Sequence, residues 1–563
     1  MARKSKSNDV VIQAGILAAA SMLVRVIGLL YRAPLTAIIG DEGNGYYGTA
    51  YNIYTIILMV SSYSMPSAIS KLMAQKIAVG EYRNAGRVFR CALLYGICVG
   101  LIGSGLLYFG AGILVPDVAV DVLRVFAPTV FLFGILGSLR GYFQARGSML
   151  PTSISQILEQ LANAVVSIAA AWILMRTLAG NDPTRQAQLG AMGSALGTGA
   201  GVFVALVFML YCFKKDQKSA QAVIRADSSG KTDRYRVFFK ETLLVITPFM
   251  LSGVVMNLTT ALNQTIYMRI MIYLRSVSAT TATTLYGIFS NKAVVISNIP
   301  ISVATAVSSA IIPGISAAFA KNDLEQTRER VGNAVRATAL IAIPSAVGLV
   351  LLAEPITMLM FPQMSSLSMA ARMLRLVAVT VVFYSISTIT NAALQSIGKM
   401  NQPLVSAGIA LMTQTVVLVL LLVRAGWDID ALAAASILYS VMIFVTNQVY
   451  LRRYLRLQQN VRRYYLQPLL CSLIMGYLAR MTYDFLYRLL AGMEQLPKGF
   501  YFRNLLSMLA ALFVALCTYV YTVVISGTVS RETLLHLPRG QQMVRFLEKI
   551  HCLKREDKIA EDN

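Results

Sequence analysis

Charged residues are scarce in this 563-residue sequence: they make up 13% of it, against about a quarter in a typical soluble domain. Histidine occurs only twice, and no phosphate-binding loop, calcium loop or HExxH helix is found. The six cysteines form neither a CxxC pair nor a metal-ligand spacing: Cys91, Cys98, Cys212, Cys471, Cys517 and Cys552. These absences argue against an enzyme, an ATP-driven pump and embedded metal chemistry, so we expect no cofactor.

Long runs of apolar residues recur along the whole sequence. A transmembrane helix needs roughly 20 consecutive, predominantly apolar residues. The sequence predicts an all-α polytopic membrane protein with fourteen spans, numbered in chain order: 10–39, 44–70, 91–115, 120–143, 151–178, 189–213, 242–274, 283–318, 335–361, 370–396, 402–424, 429–451, 467–491 and 502–527. The first run is too long for a signal peptide and lacks an A-x-A-like exit, so we expect no cleavage.

Basic residues outnumber acidic ones by 50 to 26. With a cytoplasmic N-terminus, about 35 of the Lys and Arg residues fall in inside loops and tails and about 9 in outside loops, as the positive-inside rule requires. This bias predicts that both termini are cytoplasmic. Nucleic-acid binding is the other reading of such charge, but it would need interleaved aromatic residues, and these are sparse in the basic loop 214–241.

The chain carries signs of an internal duplication. A shift of about 242 residues aligns Gly45 with Gly287 and Gly80-Glu81 with Asn322-Asp323. Since a six-helix unit has an even number of spans, both copies would insert in the same orientation and form parallel repeats, with a substrate site between the two lobes.

A second echo near the fourth span of each half aligns 144–151 with 395–403. The predicted organisation is a cytoplasmic N-terminus 1–9, an N-lobe 10–213, a basic inter-lobe loop 214–241, a C-lobe 242–451, two further helices within 467–527 and a cytoplasmic tail 528–563.

Two arginines interrupt the first span, in the stretch LVRVIGLLYRAPL. Arg25 lies about 22 Å along a helix that begins near Val10. Arg32 follows seven residues later and shares a face with Gly28. A charge at this depth costs roughly 2.5–3.5 kcal/mol in lipid, which favours a water-filled cavity. Arg32 has the alternative of reaching the outer interface, and Arg25 that of a structural ion pair with an acid such as Glu159.

Further cavity candidates are the basic residues Lys292 and Arg269, the amides of Asn291 and Asn298, and the carboxylate of Glu159 near the inner end of the fifth span. Arg269 also has a snorkelling alternative. A cationic cavity with few acids suits an anionic substrate, and the guanidinium fork suits phosphate. Asp484 lies outside the repeat, and we expect it to pair with Arg480 or Arg488.

Several motifs in the sequence resemble those of a known protein family. The pattern R-x-x-G-x-x-Y-R from Arg25 is followed by G-D-E-G-x-G-x-Y-G from Gly40, and the tail carries LPRG at 537–540. These features resemble the polysaccharide-transporter branch of the multidrug/oligosaccharidyl-lipid/polysaccharide (MOP) superfamily, within it the stage V sporulation protein B group and the MurJ-type lipid II flippases of Gram-positive bacteria. The resemblance covers nearly the whole chain.

The resemblance implies a V-shaped fold of two lobes and the flipping of an undecaprenyl-pyrophosphate-linked sugar to the outer leaflet. It also implies that Arg25 and Arg32 are cavity arginines and that the last two spans form a groove for the lipid tail. The Gram-negative MurJ branch has basic residues on its second span, whereas the stretch 51–64 here has no charge.

Three readings follow. The leading one is a flippase for lipid II, whose pyrophosphate would bind Arg25, Arg32 and Lys292. Capsular, teichoic-acid or spore-cortex precursors remain open as substrates, and the cell-wall synthesis machinery as a partner. The second is a cation-coupled drug exporter of the MATE type, which predicts acids on the first and seventh spans. The third, a non-transporting scaffold, gives no reason for buried arginines.

Overall fold

The structure is a computed structural model. It describes residues 20, 23–25, 27–28, 30–59, 61, 65–225, 235, 237–240, 258–320, 322–361, 363–399, 401–457, 459–492 and 499–527. The predicted N-terminus 1–9, the start of the seventh span, part of the loop 214–241 and the tail 528–563 lie outside the described residues.

The described residues are almost entirely helical, which confirms the predicted all-α fold class. The α-helices are α1 Arg32–Leu58, α2 Met65–Ala78, α3 Tyr82–Leu114, α4 Asp117–Ala145, α5 Leu150–Leu178, α6 Pro183–Arg225, α7 Ala279–Gly287, α8 Val295–Ala320, α9 Leu324–Leu351, α10 Ala353–Met360, α11 Leu367–Ser396, α12 Asn401–Val423, α13 Asp430–Leu455, α14 Gln467–Leu489 and α15 Gly499–Ile525. Short π-helical segments occupy Ile270–Leu274, Ile288–Val294 and Arg462–Leu466.

Within the described part of the chain, 11 helices are long and apolar enough to cross a membrane. They correspond to predicted spans 3 to 6 and 8 to 14. The first and seventh predicted spans begin among residues outside the description. The second corresponds to the last part of α1, the segment 59–64 and α2. The multi-pass membrane architecture is therefore confirmed, and the count of fourteen spans stays a prediction.

Helix α1 contains the end of the first predicted span and the start of the second. The backbone breaks at Gly40, whose φ of 69° lies in the left-handed region that favours glycine. Beyond this break, α1 crosses α7 at very close range. A Cβ on Gly45 would lie 2.5 Å from the carbonyl oxygen of Thr283, and a Cβ on Gly287 would lie 2.5 Å from the Cα of Gly45. The two glycines that the repeat aligns therefore touch one another.

The repeat is also visible in the turns. Gly80, between α2 and α3, and Asn322, between α8 and α9, have φ values of 79° and 56°. In both turns this residue's N–H donates to the carbonyl three residues back, and the next N–H, that of Glu81 or Asp323, donates five residues back. The local backbone is thus the same at the predicted offset of about 242 residues, as expected of a duplicated unit.

The second echo behaves in the same way. Gly147 after α4 and Gly398 after α11 have φ values of 77° and 78°. Each donates its N–H three residues back, and the residue that follows donates five residues back. Glycine suits both positions because it adopts positive φ without strain.

The chain forms two compact units. Unit 1 comprises Met1–Asn291 and Leu418–Ile429, and unit 2 comprises Lys292–Val417 and Asp430–Asn563. The division falls later than the predicted inter-lobe loop 214–241, because residues 258–287 pack and hydrogen-bond against α1 within unit 1. The predicted lobe boundaries stay a prediction.

Candidate functional site

Helices α5 and α6 pack against each other at very close range. Gly193, Gly197 and Gly201 recur every four residues on α6 and face the backbone of α5. A Cβ at Gly197 would overlap Ser167 of α5, so the two helices touch only because these side chains are absent. The repeated GxxxG spacing is a sequence signal for this close crossing.

The described residues at the end of the first predicted span contact α5. A Cβ on Gly28 would lie 3.0 Å from the amide nitrogen of Gln160, so the room left by this glycine is filled by an amide. One turn further, the Asn163 Nδ2 donates to the hydroxyl of Tyr31 at 3.4 Å. This face of α5 therefore presents amides to the segment that carries the two predicted arginines.

Those arginines differ in environment. Arg25 is exposed, and among the described residues it forms no ion pair. Arg32 is half-buried, and its guanidinium interacts with the hydroxyl of Tyr31. The snorkelling alternative for Arg32 stays a prediction.

Glu159 has a partner that the sequence reading missed. Its carboxylate lies 2.7 Å from a guanidinium nitrogen of Arg140 on α4, and the Nε of the same arginine donates to Ser155 at 2.9 Å. The Arg140 side chain is almost fully buried, whereas a quarter of the Glu159 side-chain surface is exposed. The alternative of an Arg25–Glu159 ion pair is therefore not what the structure shows. Arg140 and Glu159 each lie near the inner end of a neighbouring predicted span, which was the available signal.

An aromatic cluster occupies the part of α1 that carries no charge. Tyr47, Tyr51 and Tyr54 lie on one face at helical spacing, against Phe126 of α4. The rings of Tyr47 and Tyr51 stack with centroids 5.5 Å apart, and those of Tyr54 and Phe126 at 4.6 Å. Tyr51 is the half-exposed member of this cluster.

A buried network of polar side chains joins α1 to the rest of unit 1. Asn52 donates its amide to Gln264 at 2.7 Å and to the Tyr286 hydroxyl at 3.2 Å. Gln264 in turn donates to the carbonyl of Thr49 at 2.8 Å. Because these groups satisfy one another in an apolar surrounding, they fix the register between α1, α7 and the segment around residue 264.

Asn291 also forms a hydrogen bond to α1. Its amide donates to the carbonyl of Asn44 at 2.8 Å, and it fills the space beside Gly48, where a Cβ would overlap it. In this structure Asn291 therefore supports the glycine-rich crossing of α1. Arg269, also in unit 1, is exposed.

The remaining candidates lie in unit 2. Lys292 is 1% exposed; its ammonium donates to the Ser366 hydroxyl at 2.8 Å and to the Gln363 side chain at 3.2 Å, and it lies 5.6 Å from the ring centroid of Phe361. The expectation that Lys292 faces a water-filled space does not describe this structure, because the side chain is buried against Phe361, Gln363 and Ser366, which follow α10. Asn298, farther along α8, is exposed.

Comparison with solved structures defines the class of fold. The chain is similar to the lipid II flippase MurJ in its inward closed conformation, with a TM-score of 0.64, 15% identity, and 90% of this chain and 98% of that chain covered. It is also similar to an inward-facing multidrug resistance MATE family transporter of the MOP superfamily, with a TM-score of 0.60, 15% identity and coverages of 78% and 98%. The all-helical fold is therefore of the MurJ/MATE type.

Sequence comparison gives the family. The model of the family described as lipid II flippase MurJ matches residues 87–500, and this chain belongs to that family. The lipid II flippase MurJ of Bacillus subtilis (strain 168) is 23% identical over 456 residues, which cover 76% of this chain and 81% of that protein. Stage V sporulation protein B of the same organism is 24% identical over 457 residues, with coverages of 80% and 85%. The family resemblance predicted from the motifs at Arg25 and Gly40 is confirmed.

Proposed function

We propose that this protein moves an undecaprenyl-pyrophosphate-linked sugar, lipid II, from the inner to the outer leaflet of a bacterial plasma membrane. One observation carries the proposal beyond family membership. Arg25 sits deep in an apolar segment, yet it is exposed and forms no ion pair among the described residues. A cation in contact with lipid at that depth costs roughly 2.5–3.5 kcal/mol, so its place is in water, where an anionic headgroup can meet it.

The roles of the other candidates follow from their surroundings. Arg32 is held beside Tyr31 and adds a second guanidinium to the same helix face, which suits a pyrophosphate. Glu159 is charge-compensated by Arg140, so it does not cancel the positive charge of Arg25. Lys292 would contribute to phosphate binding only after its contacts with Gln363 and Ser366 are released.

Alternating access would carry the headgroup across, driven by an ion gradient or by the membrane potential. The potential contributes roughly 2.3 kcal/mol per charge per 100 mV. Both termini are proposed to be cytoplasmic, and the cell-wall synthesis machinery is the proposed partner.

The test is complementation of a strain depleted of its lipid II flippase, together with an assay of lipid II accessibility at the outer leaflet. Arg25→Ala should accumulate normally, because removing a costly charge does not harm insertion, but transport should collapse. Arg25→Lys should restore part of it, since an ammonium lacks the bidentate fork. Arg32→Ala should be milder. Arg185→Ala, which removes an exposed arginine near the start of α6, is the matched control and should transport normally.

Transport at the wild-type rate by Arg25→Ala would refute the binding role of Arg25.

The second candidate function, a cation-coupled drug exporter, has the shared MATE-type fold in its favour. It predicts drug resistance without complementation, whereas the exposed cation on the first span favours an anionic substrate.

A further inference from the structure

Two prolines in the ninth predicted span leave backbone carbonyls without their usual donors, because proline has no N–H to offer the residue four positions back. Pro344 in α9 frees the carbonyl of Leu340, and Pro355 in α10 frees that of Leu351. Both carbonyls accept hydrogen bonds from the C-terminal helix pair, which is formed by α14 and α15. The Tyr519 hydroxyl of α15 donates to Leu340 at 2.8 Å, and a guanidinium nitrogen of Arg480 on α14 donates to Leu351 at 3.4 Å.

The helix pair also holds Pro355 itself. The Asn504 Nδ2 of α15 donates to the carbonyl of Pro355 at 3.1 Å, while its Oδ1 accepts from the Tyr483 hydroxyl of α14 at 2.7 Å. Asn504 is completely buried. A buried amide with donor and acceptor both used is a rigid link, because breaking either bond leaves an unsatisfied polar group in an apolar surrounding. Asn504 therefore ties the first turn of α10 to both C-terminal helices.

The other end of α10 leads to Lys292. The helix ends at Met360, and Phe361 follows at once with its N–H donated to Thr357 at 2.7 Å. Phe361, Gln363 and Ser366 then surround the Lys292 ammonium. Only about 9 Å of helix separates Pro355 from Phe361, so a shift of the first turn of α10 moves Phe361, whose ring contacts the Lys292 ammonium.

We propose that Asn504 is a positioning residue for Lys292. By fixing Pro355 it holds α10 in the place that keeps the Lys292 ammonium covered and hydrogen-bonded; displacement of the C-terminal helix pair from α10 releases the lysine to bind an anionic headgroup. All the groups involved belong to unit 2. The inference deepens the proposed function, on which the role of Lys292 as a phosphate ligand rests.

The experiment compares two variants that each remove a side-chain hydrogen bond from α15 to a backbone carbonyl of the ninth predicted span. Asn504→Ala breaks the link to the Pro355 carbonyl in α10 and also loses the bond from Tyr483, whereas Tyr519→Phe breaks the link to the Leu340 carbonyl in α9. In a background without native cysteines, Ser366→Cys reports the opening of the Lys292 surroundings through its rate of reaction with a membrane-impermeant thiol reagent. Ser366 is buried, so we expect slow labelling in the parent, about tenfold faster labelling with Asn504→Ala, and no more than about twofold change with Tyr519→Phe.

Lipid II transport supplies the second readout, measured with Lys292 present and in a Lys292→Met background. Asn504→Ala should lower transport several-fold when Lys292 is present and have no further effect in Lys292→Met, because a residue that acts through Lys292 is silent without it. If Asn504→Ala does not accumulate, Asn504→Ser replaces it in both measurements.

Equal labelling in Asn504→Ala and Tyr519→Phe overturns the inference, and so does an equal loss of transport in both Lys292 backgrounds. If labelling rises as expected but the parent protein moves no lipid II, the proposed function fails while the link from Asn504 to Lys292 stands.

Discussion

The ion pair between Arg140 and Glu159 allows a quantitative prediction. Arg140→Met should destabilise the protein by about 3 kcal/mol, the lower end of what is lost when one partner of a buried pair is removed. The lower end applies because Glu159 keeps 25% of its side-chain surface exposed and is partly solvated once its partner is gone. Glu159→Gln should cost about as much, since it leaves Arg140, whose side chain is 6% exposed, with Ser155 as its remaining side-chain hydrogen-bond partner.

The double variant separates this pair from two unrelated losses. Independent effects would add to about 6 kcal/mol, whereas removal of both charges should cost only about 3 kcal/mol, a coupling near the upper end of measured values. The assay is SDS-induced unfolding of the purified protein in mixed micelles. Arg185→Met, at an exposed arginine near the start of α6, is the control and should change stability by no more than about 0.5 kcal/mol.

Additive losses would refute the reasoning, because they would mean that Arg140 and Glu159 do not stabilise one another. The same assay separates the two arginines: Arg25→Ala combined with Glu159→Gln should be additive, since the structure gives Glu159 a different partner. A coupling between those two positions would restore the ion-pair alternative for Arg25.

Two further predictions concern packing and topology. Gly197→Ala should destabilise the protein by about 1–3 kcal/mol, because the new methyl group overlaps Ser167 of α5, whereas Gly105→Ala, with no heavy atom within 4 Å of its Cβ position, should be tolerated; melting temperatures in detergent test this. Cysteines placed at Asp182 and Lys231 should be labelled from outside and inside the cell respectively, because the positive-inside rule puts the basic loop in the cytoplasm; the reverse pattern would overturn the proposed orientation.

The features that depend on neighbours along the chain followed from the sequence. The apolar runs predicted the helical membrane fold, because a bilayer forces the backbone to satisfy its hydrogen bonds within each helix. The turns at Gly80 and Asn322 could also be aligned from the sequence, because the conformation of a turn is decided by a few consecutive residues. The pair Arg480 and Asp484, 2.9 Å apart, was predictable because residues four apart share a helix face.

Contacts between distant residues were decided only by the tertiary structure. The pairing of Glu159 with Arg140 rather than Arg25 depends on which face of α5 turns toward α4, and a charge pattern along one helix does not contain that angle. The covering of Lys292 has the same origin. The sequence showed a lysine in an apolar run, but the Ser366 hydroxyl that accepts from it lies 74 positions further along the chain, and the Phe361 ring also contacts it. Burial and pairing of a side chain are set by several helices packed together, whereas its position in a span is set by one.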